Sequence, residues 1–367
     1  MAAALWATLA ATTAHGQAVK PVTLTRGLAH PWGLAFLPGS DNDMRMLVTE
    51  RPGRLRVVHA RGAIGPPVSG VPEVDAVGEG GLLDVALDPR FSENGWIYLS
   101  YVEPVAGGTN STVVARARLD VDGLQGRLSE LQVLFRQRPK VASSVHFGSR
   151  LLFARDGRLF VSLGEGGQRD DAQTLGNHHG KLVRIEPDGR APADNPFVGR
   201  AGALPEIWSY GHRNVQGLAF HPQTGELWAD EHGPQGGDEL NVIEPGHNYG
   251  WPVITYGTEY GSGRKIGEGH ARPGMDQPIV HWTPAIAPSG MSFLTSDRYP
   301  GWKGDLFIGA LRGRTLLRLQ IDGRRVVRQE RLLQDFDERI RDVRQGPDGW
   351  LYLLTDSADG RIVRLER

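Results

Sequence analysis

The stretch from Asp342 to Arg367, DVRQGPDGWLYLLTDSADGRIVRLER, decides the fold of this 367-residue chain. It contains three short apolar strands, and turns built on Pro-Asp-Gly and Ala-Asp-Gly separate them. The same order of strand, turn, strand, Gly turn and strand recurs earlier in the chain. Five further copies start at Gly33, Asp84, Arg150, Gly217 and Gly290.

Six copies of one unit predict an all-β protein, a six-bladed β-propeller. The copies start about 50 to 75 residues apart, at or somewhat above the length of a propeller blade, and each has room for a fourth antiparallel strand. The last copy ends after its third strand, so we expect Val22–Leu24 to close the ring as its outer strand. Two stacked sandwiches are the alternative, and they fit a single repeat less well.

The amino-acid composition argues against several kinds of partner and site. With 41 Lys and Arg against 42 Asp and Glu, the net charge is −1, which disfavours nucleic acid as a partner. The chain has no cysteine, so disulfides, thiolate metal sites and a cysteine nucleophile are excluded.

The first residues, MAAALWATLAATTAHGQA, resemble the apolar and cleavage regions of a secretory signal that lacks its basic start. They are too short to span a bilayer. We therefore expect residues 1–18 to be a truncated signal or a disordered terminus, residues 19–367 to form one catalytic propeller domain, and the protein to be periplasmic or secreted.

The repeat also predicts where a site lies. The first strand of each blade lines the central channel, so residues at the start of that strand meet at one channel mouth. The residues at this position are Trp32, Glu79, His146, Arg213 with Asn214, Ser289, and Arg339 with Arg341.

Three arginines at one mouth indicate an anionic ligand, because guanidinium groups bind carboxylates in pairs of hydrogen bonds. The alternative is that they pair with nearby acids: Asp337, Glu338 and Asp342. Alone, His146 would be a structural histidine more often than a general base, but its place in the repeat favours the base. The adjacent His178 and His179 are expected to be surface residues.

Seven segments of the chain resemble the soluble sugar dehydrogenases that depend on pyrroloquinoline quinone (PQQ), specifically the aldose sugar dehydrogenases related to soluble glucose dehydrogenase. The resemblance spans residues 27–367, and the segments are specific jointly rather than singly. They are GEGGLLDVALDP from Gly78, HFGSRLLF from His146, GHRNVQGLAF from Gly211, EHGPQGGDELN from Glu231, GHNYGWP from Gly246, HWTPAIAPSGMSF from His281 and ERIRDVRQGPDGWLYLLTD from Glu338.

The resemblance implies roles for the mouth residues. His146 would be the general base for the sugar C1 hydroxyl, and Arg213 would stabilise negative charge on the reduced cofactor. The other residues implied in cofactor binding are Glu79, Asn214, His232, Arg312, Arg339 and Arg341. Arg312 stands where the family commonly has a lysine, which keeps the charge and changes the geometry.

The resemblance further implies calcium. The carbonyl groups of Gly233 and Pro234 would hold one ion at the cofactor, although a plain Gly-Pro turn is the alternative. Glu239 and the Tyr249 carbonyl, with Glu259, would form a second, structural site. The substrate rim would comprise Glu79, Asp170, Asp171 and Trp282, and because Val145, Glu79, Asp170 and Asp171 depart from the glucose dehydrogenases, glucose is not assumed to be the substrate.

The sequence thus predicts a quinoprotein that oxidises the C1 hydroxyl of aldoses to lactones by hydride transfer to PQQ. The electrons would pass to an unidentified quinone, cytochrome or dye, and the protein would be a monomer or a homodimer without a membrane span. Two alternatives remain, a calcium-dependent propeller lactonase and a non-catalytic propeller that binds a glycan or a protein.

Overall fold

The computed structural model describes residues 19–40, 43–104 and 107–367, and these residues form six antiparallel sheets of four strands each. The expectation of a signal in residues 1–18 lies outside the described residues. Blade 1 contains β2 (Pro31–Phe36), β3 (Arg45–Glu50), β4 (Arg54–His59) and β5 (Ile64–Pro67), and blade 2 contains β6 (Leu82–Leu87), β7 (Trp96–Pro104), β8 (Asn110–Asp122) and β9 (Gln125–Arg136). Blade 3 contains β10 (Leu151–Phe153), β11 (Leu159–Leu163), β12 (Lys181–Ile185) and β13 (Ile207–Tyr210), and blade 4 contains β14 (Val215–Phe220), β15 (Leu227–Glu231), β16 (Asp238–Ile243) and β17 (Val280–Trp282). Blade 5 contains β18 (Pro288–Phe293), β19 (Leu306–Ala310), β20 (Thr315–Asp322) and β21 (Arg325–Leu332), and blade 6 contains β22 (Ile340–Gln345), β23 (Leu351–Thr355), β24 (Gly360–Glu366) and β1 (Lys20–Leu28).

Helical structure is scarce in the described residues. The elements are a short helix, α1 (Phe91–Asn94), and two 3-10 turns (Arg169–Gln173 and Gln334–Phe336). None of the helices in these ranges is long and apolar enough to cross a bilayer.

The predicted propeller and its closure are confirmed. Each inner strand, the first strand of its blade, contacts the inner strands of the two neighbouring blades, so the six sheets form a closed ring. β1 completes blade 6 by antiparallel pairing with β24, from Lys20 opposite Glu366 to Leu28 opposite Gly360. The closing strand is longer than the Val22–Leu24 segment expected from the sequence.

Apolar side chains on alternating strand positions fill the spaces between blades. The layer between blades 4 and 5, for example, contains Trp228, Leu240, Trp282 and Phe293, all of them buried. Burial of such side chains between sheets is the main favourable contribution to folding. The ring therefore holds its inner strands in fixed positions.

The channel itself is narrow and polar. Arg150 lies between Asp84 and Asp342 of two other blades, with nitrogen to oxygen distances of 3.2 Å and 3.3 Å, and all three side chains are buried. A Cβ atom at Gly290 would lie 1.9 Å from the Asp342 Oδ1 atom, so only glycine permits this approach of the inner strands. Because the inner strands pack closely along the channel, the open space lies at its mouth.

Candidate active site

One mouth of the channel contains a cavity of about 500 Å³. Every blade contributes to its wall, which is the consequence of the repeat that the sequence predicts. One lining residue from each blade in turn is Trp32, Glu79, Phe147, Gln216, Leu311 and Arg341.

His146 is not in the cavity wall itself, but it adjoins the wall through Phe147, the next residue, and through Glu79, and its orientation is fixed. It has a left-handed backbone with φ of 57°, and its N–H donates to the Glu79 carboxylate over 2.8 Å. Its Nδ1 atom lies 2.8 Å from Oε1 of Glu165, whose side chain is 1% exposed. Because a carboxylate only accepts, Nδ1 is the donor in this contact, and Nε2 is the nitrogen that can accept a proton when the ring is neutral. The pair has the geometry of a general base with its orienting acid.

Sequence reasoning missed Glu165. It belongs to the GEGG segment at 164–167, which resembles a glycine turn and shows no nucleotide fingerprint. The sequence offered one signal for it: Glu165 lies two residues after the end of β11, in the same blade as His146.

Arg213 is buried beside the cavity rather than in its wall. Its backbone N–H donates to Glu231, and its Nη1 atom donates to the carbonyl of Gly233 over 2.7 Å. The guanidinium also lies 5.3 Å from the centre of the Trp251 ring. These contacts hold its positive charge close to the turn that was expected to bind calcium.

Asn214 offers a free donor inside the protein. Its Oδ1 atom accepts bonds from the Gly148 N–H and from Gln216, over 3.0 Å and 3.1 Å. Its Nδ2 group is buried and has no hydrogen-bond partner in the described part of the chain. Buried donors normally have a partner, so this group is suited to a ligand.

A shared carboxylate holds the two arginines of blade 6. Oδ2 of Asp356 lies 3.0 Å from Nη2 of Arg339 and 3.3 Å from Nη2 of Arg341, and His30 contacts its other oxygen. Burial acts against ionisation, yet the charge of Arg341 and the bonds from His30 and Arg339 hold the pKa of Asp356 below its usual range. Two guanidinium groups against one carboxylate leave positive charge in the cavity.

The local acids that sequence reasoning offered as alternative partners for Arg339 and Arg341 have other partners. That alternative is wrong, because each of these side chains points to a different arginine. Asp337 pairs with Arg314, Glu338 with Arg361, and Asp342 with Arg344.

His232 lines the cavity as a neutral side chain. Burial lowers its pKa to about 3, and its Nε2 atom lies 2.8 Å from the carbonyl of Pro288. The Nε2–H group therefore donates to Pro288, and Nδ1 is left as an acceptor.

Arg312 lies in a neighbouring pocket. Leu311 faces the main cavity, while Arg312 lines a second space of about 520 Å³ together with Tyr256, Thr258 and Tyr260. The structure thus separates Arg312 from the two arginines of blade 6.

Three of the residues expected to bind metal border one small cavity of about 10 Å³, close to the volume that one water molecule or ion needs: Gly233, Glu239 and Tyr249. Arg213 borders it too and donates to the Gly233 carbonyl. Pro234 packs against Gly257.

Glu231 also borders this small cavity and was not predicted. Burial, and then the charge of Glu231, raise the pKa of Glu239 to about 8. Glu259 is elsewhere: it makes two bonds to Arg169, of 2.6 Å and 3.0 Å. Within residues 19–40, 43–104 and 107–367, no cluster of three or more His, Asp or Glu side chains is arranged to hold a metal, so an ion at this cavity would need main-chain oxygens in addition to the two carboxylates.

The expected positions of Trp282, at the rim, and of His178 and His179, on the surface, need correction. Trp282 is not at the rim, because its ring is 6% exposed in the core between blades 4 and 5 and its Nε1–H donates to Gln329. His178 and His179 are each 1% exposed rather than on the surface. Asp170 is exposed, and its place at the substrate rim stays a prediction, whereas the Asp171 carboxylate faces His179 at 2.7 Å.

Comparisons with known proteins agree with this architecture. The family described as glucose / sorbosone dehydrogenase matches residues 28–364. Aldose sugar dehydrogenase YliI of Escherichia coli is 45% identical over 100% of this chain and 95% of its own length. Quinoprotein glucose dehydrogenase B of Acinetobacter calcoaceticus is 27% identical over 88% of this chain and 83% of its own.

A solved structure supports the same grouping. The PQQ-bound aldose sugar dehydrogenase of Streptomyces coelicolor superposes with a TM-score of 0.78 at 32% identity, covering 95% of this chain and 98% of that one. The chain described here belongs to the glucose / sorbosone dehydrogenase family of sugar oxidoreductases.

Proposed function

We propose that this protein oxidises the C1 hydroxyl of aldose sugars to the lactone, with PQQ as cofactor and with calcium bound. The observation that carries the proposal is the His146–Glu165 pair at the edge of a cavity lined by arginines. The family resemblance and the quinoprotein relative support the choice of cofactor.

His146 acts as the base in this proposal. When bound, PQQ supplies the hydride acceptor for the hydrogen on C1. Nε2 of His146 takes the hydroxyl proton, so the sugar loses a hydride and a proton and its C1–O bond becomes a carbonyl. Glu165 holds the imidazole and stabilises the imidazolium that forms, and it is buried enough to act without solvent screening.

The charges in the cavity suit an anionic cofactor. PQQ carries three carboxylates, and guanidinium groups bind carboxylates strongly. Arg339, Arg341 and the free Nδ2 group of Asn214 would bind them, with Glu79 and His232 completing the wall. Arg213 would stabilise charge on the reduced cofactor, and Arg312 would contribute from the neighbouring pocket.

Calcium would bind at the small cavity, which the Gly-Pro turn borders through Gly233. Glu231, Glu239 and the Tyr249 carbonyl would supply the oxygen ligands that calcium requires. At the turn, the Gly233 carbonyl would have to be shared with Arg213, and the Pro234 carbonyl would join it. Glu259 would bind an ion only after leaving Arg169, so we assign it to that arginine instead.

The rim and the partners follow from the same assignment. Glu79 and Asp170 would face the sugar, and an unidentified quinone, cytochrome or dye would take the electrons. We place the protein in the periplasm or outside the cell on the character of residues 1–18, and a monomer or a homodimer suits this proposal.

Reconstitution tests the proposal. Protein mixed with PQQ and calcium should reduce a dye when an aldose is added, and His146→Ala should lower kcat by about 10² to 10⁴. His59→Ala, on β4 away from the cavity, is the matched control and should retain activity. Bound cofactor without oxidation of any sugar in a panel would refute the sugar assignment. Lactone hydrolysis without PQQ would favour the lactonase, and sugar binding without turnover would favour a glycan-binding propeller.

A further inference from the structure

The connection between β11 and β12 carries functional residues but little regular structure. Glu165, which orients His146, stands near its start, and the 3-10 turn Arg169–Gln173 contains Asp170, a residue of the proposed rim. An irregular segment of this length keeps one conformation only if tertiary contacts offset the entropy of ordering it. The contacts that do so determine the geometry of the rim.

Lys181 provides the central contact. The side chain is fully buried at the first position of β12, and its Nζ atom lies 2.9 Å from the carbonyl of Asp171, 3.1 Å from that of Ala172 and 2.5 Å from that of His179. Burial lowers the pKa of Lys181 to about 7, and in its ammonium form the side chain has three donors, all of which are used. Two of the three acceptors belong to the 3-10 turn.

A second contact holds the same 3-10 turn, this time through His179, two residues before Lys181. Nδ1 of His179 lies 2.7 Å from the Asp171 carboxylate, and Nε2 lies 3.0 Å from the carbonyl of Pro139. Asp171 is thus held through its side chain by His179 and through its backbone by Lys181.

The clamp of Lys181, His179 and Asp171 is connected to the proposed active site. The Ala172 carbonyl that binds Lys181 also accepts the N–H of Gly211, which lies two residues before Arg213. On the rim side, Arg169 of the same turn pairs with Glu259 of blade 4. The clamp therefore sets the distance between the rim of blade 3 and the blade 4 loop.

We propose that Lys181 is a positioning residue for the sugar: through the clamp it fixes the rim segment Arg169–Thr174, and Asp171 serves this clamp instead of contacting the substrate. The inference rests on the proposed sugar oxidation. Glu165 is held separately by bonds of its backbone to Arg213 and Gln168, so loss of the clamp should affect sugar binding more than the chemical step.

The test compares Lys181→Met with Lys303→Met, the same change at an exposed lysine that pairs with Asp297. In the PQQ-loaded protein we expect K181M to raise the KM for the aldose about tenfold, with kcat within about twofold and an unchanged PQQ titration. K303M should match the wild type. Amide exchange of residues 169–174 should be faster in K181M than in K303M.

Equal KM values in active wild-type and K181M protein would overturn the inference, as would slow exchange of residues 169–174 in both variants. If K181M does not fold, Asp171→Asn decides through amide exchange: faster exchange of residues 169–174 supports the clamp, and exchange as slow as in the wild type overturns it. If the wild type oxidises no aldose, the proposed function fails, while the exchange measurement still tests whether Lys181 holds the rim segment.

Discussion

Replacing Glu165 with glutamine tests how the proposed base is oriented. The substitution keeps the shape of the side chain and exchanges a charged acceptor for a neutral one, 2.8 Å from Nδ1 of His146. A hydrogen bond to a charged group contributes about 1 to 2 kcal/mol more than a neutral one. Because Glu165 is 1% exposed, solvent does not reduce this difference.

The loss falls on the step in which His146 becomes an imidazolium, so Glu165→Gln should lower kcat by about 5- to 30-fold while KM stays near the wild-type value. The assay is steady-state dye reduction by the PQQ-loaded protein over a range of aldose concentrations. Glu93→Gln, on the exposed helix α1, is the control for the same substitution. A kcat of E165Q within twofold of wild type, together with an inactive His146→Ala, would refute the proposed role of Glu165.

Three further predictions concern the cavity and the core. Arg341→Met should weaken PQQ binding by about 10- to 150-fold, because a charge-assisted contact is lost, and a PQQ titration of activity measures this; unchanged affinity would contradict the assignment. Asp356 has a lowered pKa in the folded protein, so its stabilisation is present above the ordinary carboxyl pKa of about 3.9 and is lost as the pH falls below it. The difference in unfolding free energy between wild type and Asp356→Asn should shrink from pH 5 to pH 3. A constant difference would argue against an ionised Asp356 between Arg339 and Arg341. Trp282→Ala should destabilise the fold by about 3 to 5 kcal/mol with KM unchanged, as measured by denaturant unfolding and kinetics; a raised KM at normal stability would return Trp282 to the rim.

The sequence was sufficient for the architecture because the repeat is local. Each blade consists of neighbouring strands joined by tight turns, so the pattern of apolar residues and Gly turns predicts six blades without distant contacts. The unpaired strand near Val22 then predicts the closure.

The site was predictable only in part. The topology brings Glu79, Arg339 and Arg341 to one cavity, as the repeat implies. Asp356 directly follows the second strand of its blade, β23, and the fold brings it to the arginines, which no spacing in the sequence reveals.

Side-chain direction caused the remaining errors. Trp282 is close in sequence to residues that reach the channel mouth. Side chains on a strand alternate between its two faces, however, and the Trp282 ring lies on the face that packs into the core. His178 and His179 lie in a loop, as expected, but they are buried rather than on the surface, and a carbonyl and two carboxylates provide their partners. Such networks depend on residues distant in sequence.

The absorbance spectrum of the protein with PQQ and calcium, recorded before and after addition of an aldose, shows directly whether the bound cofactor takes hydride from the sugar. We expect the bound quinone to become reduced in the wild type and to stay oxidised over the same period in His146→Ala. A wild-type spectrum that shows bound quinone but does not change with any aldose would contradict this expectation.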